Sequence, residues 1–143
     1  MENQREIITK PIELSFPLPL APETQVRVQL TIRAKYILLY LTTTSIGDTS
    51  VLPPLGSFVY ALPDRINTTQ TISTPLCQNE YSIDLTTRLA KIFARKSQKP
   101  VYVGNSISFA SAGMGGTSEE EIEGLRMIVG TVMKEIDSHE SSA

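Results

Sequence analysis

Residues 25–43 read QVRVQLTIRAKYILLYLTT and contain two different strand patterns in succession. In residues 26–32, apolar side chains alternate with polar ones, which predicts a strand with one buried and one solvated face. After a short connection at Ala34 and Lys35, residues 36–43 predict a second strand. Both alternating sets of side chains in this second strand are apolar. Such a strand needs a cover on each face, so the sheet that contains it must be covered on both sides, at least centrally.

The rest of the chain predicts more strands and two helices. The predicted strands are residues 57–62, 71–76 and 101–108, and the first predicted helix is residues 82–97. Ser82 is a plausible N-cap for that helix, and Pro100 prevents the helix from continuing. A second helix is expected from Ser118 onward, with an apolar stripe that runs from Ile122 to Ile136. This order of elements predicts an α+β fold, with a mainly antiparallel sheet of five to six strands and two amphipathic helices packed on one face.

A chain of 143 residues is long enough for one domain with its own hydrophobic core. We divide it into a proline-rich N-terminal arm (residues 1–23), a single α+β domain (residues 24–137) and a flexible polar tail (residues 138–143). Ile12, Leu14 and Phe16 alternate with polar residues or proline, so a short strand is expected inside the arm.

The composition argues against several partners. The formal net charge is -2, whereas a dedicated nucleic-acid binder usually carries a basic excess. The longest apolar run, residues 36–41, is far too short to span a membrane. One cysteine allows no intramolecular disulfide, which fits a reducing compartment. We therefore expect a cytoplasmic protein, with the nucleus as a second location, that binds neither nucleic acid nor membranes.

The residue sets of common active sites are missing from the sequence. His139 and Cys77 are the single histidine and cysteine, and they form neither a catalytic triad nor a familiar zinc site. We expect no enzymatic activity, no cofactor and no metal. One alternative rests on residues 113–118, a glycine-rich connection before the second helix, where backbone N–H groups can bind an anion. That alternative is a small anion- or nucleotide-binding domain, although the segment lacks the lysine of a P-loop.

The second apolar face of the strand at residues 36–41 is the feature that points to a partner. Either Ile37, Leu39 and Leu41 or the other set, Tyr36, Leu38 and Tyr40, faces away from the helices, and the pattern does not distinguish the two. The N-terminal arm can cover that face through Phe16, Leu18 and Leu20; otherwise a second protein chain must cover it. We favour a dimer in which sheet packs on sheet.

Basic residues cluster on the first helix. At about 100° per residue, Arg88, Lys91 and Arg95 lie together beside the apolar stripe. Such a helix face is usually solvated, and the helix dipole by itself favours cations near the C-terminal end. The functional alternative is a surface that steers an acidic protein partner toward the domain.

The segment LAKIFARKSQKPVYV, residues 89–103, resembles the best-preserved part of the proteasome assembly chaperone 4 family. In that family a helix that ends in an Ala-Arg-Lys-Ser/Thr run leads directly into a Val-aromatic-Val strand. The apolar strand at residues 37–41, the loop at 46–48 and the strand at 58–62 are similar to the family in type and order. The resemblance covers roughly residues 25–136.

The resemblance implies a protein without enzymatic activity. Members of the family form a heterodimer with a companion chaperone of similar fold and bind alpha-ring subunits of the 20S proteasome, notably the fifth, during assembly. For this chain, it implies that the companion covers the second sheet face at residues 36–41. It also places the alpha subunit against a polar surface, for which we select Arg88, Lys91, Arg95 and Lys96. A generic homodimeric adaptor of the same architecture is a further alternative.

Overall fold

A computed structural model of the protein describes residues 10–19, 21–45, 55–67, 69–107 and 118–141. Its elements in chain order are β1 (Ile12–Leu18), β2 (Ala21–Ile32), β3 (Ile37–Ser45), β4 (Ser57–Pro63), β5 (Thr71–Cys77), α1 (Ile83–Ser97), β6 (Val101–Asn105) and α2 (Ser118–Ser141). The strands form one six-stranded sheet in the order β1-β2-β3-β6-β4-β5. The predicted α+β class and the predicted sheet size are confirmed.

The two strands predicted from residues 25–43 are present as β2 and β3, which form a hairpin in which Leu30 lies opposite Leu39. The β1–β2, β2–β3, β4–β5 and β4–β6 pairs are antiparallel, and β3 and β6 form the one parallel pair among the described strands. The parallel pair arises because α1 carries the chain back across the sheet before β6 begins. Strand β6 therefore lies in the middle of the sheet, between β3 and β4.

The N-terminal arm joins the sheet. Its expected short strand is present as β1, and the boundary drawn at residue 24 falls inside β2. Leu14 lies opposite Val28 and Phe16 opposite Val26, which places Phe16 on the face that carries the buried side chains of β2. Phe16 packs against the core from that side and Leu18 is buried within it. The interpretation that Phe16 and Leu18 cover the second face is therefore wrong, and Leu20 lies outside the described residues.

Helix α1 has nearly the predicted bounds, but its N-terminus is stabilised differently from the prediction. Ser82 occupies the N-cap position without a side-chain cap hydrogen bond, because its hydroxyl pairs instead with the hydroxyl of Ser57 at 2.8 Å. At the other end, Gln98 adopts a left-handed conformation (φ 58°), and its N–H donates to the carbonyl of Ala94. This turn and Pro100 end the helix and lead the chain into β6.

Helix α2 is longer than predicted. It continues to Ser141, so residues 138–141 of the predicted flexible tail are helical, while residues 142 and 143 lie outside the described residues. Ile128, Val132 and Ile136 are fully buried and form the inward stripe. Ile122 does not belong to that stripe, because 52% of its surface is exposed.

Both helices pack on one face of the sheet around a single core, as predicted. The buried strand side chains belong to residues that lie opposite one another in register, such as Leu39 and Val103 or Val59 and Val103. Helix α1 contributes Leu85, Leu89, Ala90, Phe93 and Ala94, and helix α2 contributes Ile128, Val132 and Ile136. Burying these apolar side chains supplies most of the favourable free energy of folding. Each Å² of apolar surface removed from water contributes about 25 cal/mol.

A buried polar cluster joins the start of α1 to the end of β6. The amide nitrogen of Asn105 donates to the Thr86 hydroxyl at 3.1 Å, and the Asn105 side-chain oxygen accepts from the N–H of Ile107 at 3.0 Å. The Thr86 hydroxyl in turn donates to the carbonyl of Ser82 at 2.6 Å. Ser82, Thr86 and Asn105 are all buried, so each polar group depends on these partners.

We expect Asn105→Ala to lower the free energy of unfolding by about 1–3 kcal/mol, because it leaves the buried Ile107 N–H without its acceptor. Urea denaturation followed by circular dichroism measures this loss. The neighbouring substitution Ser106→Ala is a control, since Ser106 is half-buried and its hydroxyl pairs with that of Thr42 outside the cluster. Equal stability of the two variants would contradict a structural role for the cluster.

Candidate functional site

The two apolar faces of β3 have different surroundings. Ile37, Leu39 and Leu41 are buried in the core beneath the helices. Leu38 and Tyr40 are half-buried and Tyr36 is 38% exposed, all on the opposite side of the strand. Of the two alternatives left by the sequence, the set that faces away from the helices is therefore Tyr36, Leu38 and Tyr40.

Five aromatic rings gather on that side of the sheet, which we call the aromatic face: Tyr36, Tyr40, Phe58, Tyr60 and Tyr102. Tyr102 in β6 lies at their centre, with its ring 4.6 Å from that of Tyr60 and 6.1 Å from that of Phe58. Tyr36 contacts Tyr102 edge-on at 6.0 Å, and Tyr40 stacks on Phe58 at 6.1 Å. The chain has five tyrosines and four phenylalanines, so more than half of its aromatic residues lie on one sheet face.

Gly104 leaves room for the ring of Tyr40 to lie close against β6. A Cβ atom at Gly104 would stand 2.6 Å from Cδ1 of Tyr40 and 2.9 Å from Cδ1 of Leu55. Beside this contact, toward β1 and β2, lies a shallow groove of about 670 Å³. Tyr40, Leu55 and Gly104 border it on the aromatic side, and Glu13, Arg27 and Gln29 border it on the polar side. The aromatic face therefore has both apolar surface and a polar margin.

The sheet edges are less suited to binding another chain than this face is. β1 and β5 are the outer strands, and they carry Pro17 and Pro75 respectively. Proline has no N–H to donate to an added strand, and natural edge strands use it to prevent pairing. A partner is therefore expected to pack on the aromatic face rather than to extend the sheet.

The four basic residues selected on α1 are all exposed on the helix side of the sheet, away from the aromatic face. Among the residues that the structure describes, none of Arg88, Lys91, Arg95 and Lys96 forms an ion pair. Arg95 and Lys96 lie in the last turn of α1, where the helix dipole favours them. The four residues lie along one helix, and their contact with a partner stays a prediction.

Lys99 differs from the other cations of the run at residues 95–99. Its ammonium group pairs with the Glu140 carboxylate at 2.8 Å and donates to the carbonyl of Arg33 at 3.3 Å. It thereby ties the end of α1 to the end of α2 and to the connection between β2 and β3. Lys99 has a structural role in this position.

The described residues offer little to catalysis. Ser57 and Ser82 are buried with their hydroxyls bonded to each other, while Cys77 and His139 are exposed in separate parts of the chain. No group of three or more potential metal ligands occurs within the described ranges. No helix among those residues is long and apolar enough to cross a membrane. The glycine-rich connection before Ser118, the basis of the anion-binding alternative, lies outside the described residues.

Sequence reasoning missed Phe58, Tyr60 and Tyr102 as members of the aromatic face. Their alternation with Val59, Ala61, Val101 and Val103 placed them on strands, but only the register across β3, β6 and β4 brings the rings together. The available signal was the Val-Tyr-Val run at residues 101–103, whose tyrosine must face away from two buried valines.

The described residues form a small α+β domain in which the helices cover one sheet face and five aromatic rings gather on the other. A family model described as proteasome assembly chaperone 4 matches residues 25–107, which is more than half of the chain. The chain belongs to the proteasome assembly chaperone 4 family. That family is one of assembly chaperones and not a family of enzymes. The matched residues begin within β2 and include β3 to β6 and α1.

A solved structure has the same fold. The match is a chain from the crystal structure of a chaperone complex for yeast 20S proteasome assembly, with a TM-score of 0.63 and 19% sequence identity. The aligned region covers 88% of this chain and 96% of that chain. At this identity the similarity concerns the fold. No curated protein sequence matches the chain.

Proposed function

We propose that this protein is a non-enzymatic assembly chaperone of the 20S proteasome, which pairs with a companion chaperone of similar fold and binds alpha-ring subunits. Membership of the proteasome assembly chaperone 4 family supports the chaperone role. The observation that supports pairing is the aromatic face, whose rings the described residues bury only in part. The proposal locates the protein in the cytoplasm and the nucleus.

Pairing through the aromatic face has a clear energetic basis. Tyrosine and phenylalanine are enriched at protein interfaces because they bury a large apolar area with few rotatable bonds. A stable interface covers about 800 Å² on each partner. A six-stranded sheet is about 24 Å wide between its outer strands, so a second sheet stacked about 10 Å away has enough area to bind. Tyr102, at the centre of the ring cluster, is the expected hot spot.

The alpha subunit, the fifth in particular, is proposed to bind the polar surface formed by Arg88, Lys91, Arg95 and Lys96. These side chains project from α1, which lies on the opposite side of the sheet from the aromatic face. One domain can therefore hold its companion and an alpha subunit at the same time without the two partners colliding. Since none of the four cations has a described acidic partner, their charge is available to an acidic surface.

We expect Arg95→Glu to leave the fold intact and to weaken alpha-subunit binding by several-fold at low salt, because the charge of an exposed contact is reversed. Wild-type binding should also weaken between low and physiological ionic strength. Biolayer interferometry with purified alpha subunits at two salt concentrations measures both effects. Arg126→Glu, on the exposed side of α2, is the control. Normal binding by Arg95→Glu at low salt would contradict the proposed contact.

Depletion of the protein from its own cells tests the proposed function as a whole. We expect fewer complete 20S particles and an accumulation of incomplete alpha-ring intermediates on native gels, both restored by the wild-type chain. An unchanged level and composition of 20S particles after depletion would contradict an assembly role.

A further inference from the structure

Cations from two hairpin connections and from the last turn of α1 meet at one end of the sheet. Arg33 and Lys35 lie between β2 and β3, Arg65 lies between β4 and β5, and Arg95 and Lys96 lie at the end of α1. We call these five residues the basic end. They come from distant parts of the sequence, so no local run of basic residues indicates this surface.

The sheet register places these connections side by side. Ile37, the first residue of β3, lies opposite Val101, the first residue of β6, and Val101 lies opposite Ala61 near the end of β4. The N–H of Ile37 donates to the carbonyl of Pro100 at 3.0 Å, and Lys99 donates to the carbonyl of Arg33 at 3.3 Å. With strands about 4.8 Å apart, the two hairpin connections are separated by about 14 Å, with the end of α1 layered over the strands between them.

Carboxylates also lie at this end of the domain. The side chain of Asp64 accepts from the backbone N–H of Ile66 at 2.9 Å, and Glu140 pairs with Lys99 at 2.8 Å. Asp137 also has a partner. All five side chains of the basic end are exposed, and none of them forms a described ion pair. With Lys99 included, the six cations outnumber Asp64, Asp137 and Glu140, so this end has an excess of positive charge.

Acidic residues collect at the opposite end of the domain, where both helices begin. Glu80 and Asp84 lie at the start of α1, and Glu121 and Glu123 lie in the first turns of α2. All four are exposed. The net charge of -2 thus conceals a domain with one basic and one acidic end. Opposed charges of this kind orient a charged partner as it approaches.

The helix dipole explains the position of only some cations of the basic end. Its effect is confined to about the last turn of a helix, which accounts for Arg95 and Lys96. Arg33, Lys35 and Arg65 lie in hairpin connections and not in the last turn of a helix. Their position beside the end of α1 requires another explanation, and a shared acidic partner provides one.

We propose that the basic end, formed by Arg33, Lys35, Arg65, Arg95 and Lys96, is the docking surface for an acidic segment of a partner protein. This inference rests on the proposed function and deepens it, because it assigns the alpha-subunit contact to the end of the domain rather than to the length of α1. An extended peptide of about four residues spans the 14 Å between the two hairpin connections at about 3.3 Å per residue. A protein segment fits better than nucleic acid, because the acidic end repels a long polyanion.

The test compares two doubly charge-reversed variants of the full chain. Lys35→Glu with Arg65→Glu alters the basic end through the hairpin connections alone and leaves α1 untouched. Arg126→Glu with Lys134→Glu makes the same change in net charge on the exposed side of α2. The probes are a fluorescein-labelled peptide of ten glutamates, measured by anisotropy, and each purified alpha subunit, measured by biolayer interferometry.

At about 50 mM salt we expect the basic-end variant to bind the peptide and an alpha subunit about tenfold more weakly than the wild type, and the α2 variant to change binding by less than about twofold. Equal weakening by both variants, or no weakening by the basic-end variant, would overturn the inference. Failure of the wild type to bind the peptide and every alpha subunit would also overturn it. Tighter binding of a single-stranded DNA oligonucleotide than of the peptide would also overturn it.

The two probes separate this inference from the proposed function. If the wild type binds an alpha subunit and the basic-end variant binds it equally well, the basic end is not the docking surface while the chaperone role stands. If no alpha subunit binds but peptide binding depends on the basic end, the proposed alpha-subunit contact is wrong while the acidic-segment site stands.

Discussion

Leu39→Asp should abolish folding of the domain. Leu39 is fully buried in the central part of the sheet, opposite Leu30 on one side and Val103 on the other. Removing a buried leucine side chain typically lowers the free energy of unfolding by about 2–5 kcal/mol. Burying a carboxyl group without a hydrogen-bond partner lowers it by several more. A domain of this size has a total stability of about 5–15 kcal/mol, so the sum removes most or all of it.

Far-ultraviolet circular dichroism and thermal denaturation of the purified variant measure this effect. Leu39→Met serves as the control, because it nearly conserves volume and apolar character and should lower the free energy of unfolding by less than about 1.5 kcal/mol. A cooperatively folded Leu39→Asp domain with wild-type stability would contradict the placement of Ile37, Leu39 and Leu41 beneath the helices.

Leu38→Asp, one residue away, should leave the domain folded and abolish its pairing. Leu38 is half-buried on the aromatic face, so an aspartate there can reach water in the unpaired chain. In a paired state the same carboxylate would be buried against the companion, and an unpaired charge at an interface costs several kcal/mol. We expect the affinity for the companion to fall by about a hundredfold or more, which corresponds to about 2.7 kcal/mol.

Leu39→Asp and Leu38→Asp place the same substitution at adjacent residues of one strand, and we expect opposite effects on folding. Size-exclusion chromatography of the co-expressed pair measures pairing, and thermal denaturation of the isolated chain measures folding. Leu38→Met is the matched control and should still pair. Pairing by Leu38→Asp at wild-type affinity would remove Leu38 from the interface.

The strands and helices were predictable because their signals are local. The period-two alternation in β2 and the apolar stripe of α1 with Pro100 beyond it each depend on a few neighbouring residues. The two apolar faces of β3 were equally visible. Which of those faces meets the helices was not predictable, because both sets consist of large apolar side chains and the answer depends on the register with β2 and β6.

The parts that sequence reasoning missed depend on contacts between distant segments. The prolines of the N-terminal arm suggested a departure from regular structure, yet Pro17 is tolerated because β1 is an edge strand. The aromatic face needs β6 between β3 and β4, and the basic end needs two hairpin connections beside the end of α1. In the sequence, Lys99 is one of the cations at residues 95–99. Its ion pair with Glu140 was not predictable, because the pair depends on where α2 ends.

Native mass spectrometry of the tagged chain, purified gently from its own cells with each bound component identified, tests most directly whether the aromatic face holds a companion. We expect a complex of one copy of this chain with one second chain of similar size and fold, joined in part of the population by alpha subunits. We also expect the Leu38→Asp chain to be recovered folded and alone. A wild-type chain recovered as a monomer or as a homodimer, or a Leu38→Asp chain that keeps its companion, would contradict the account.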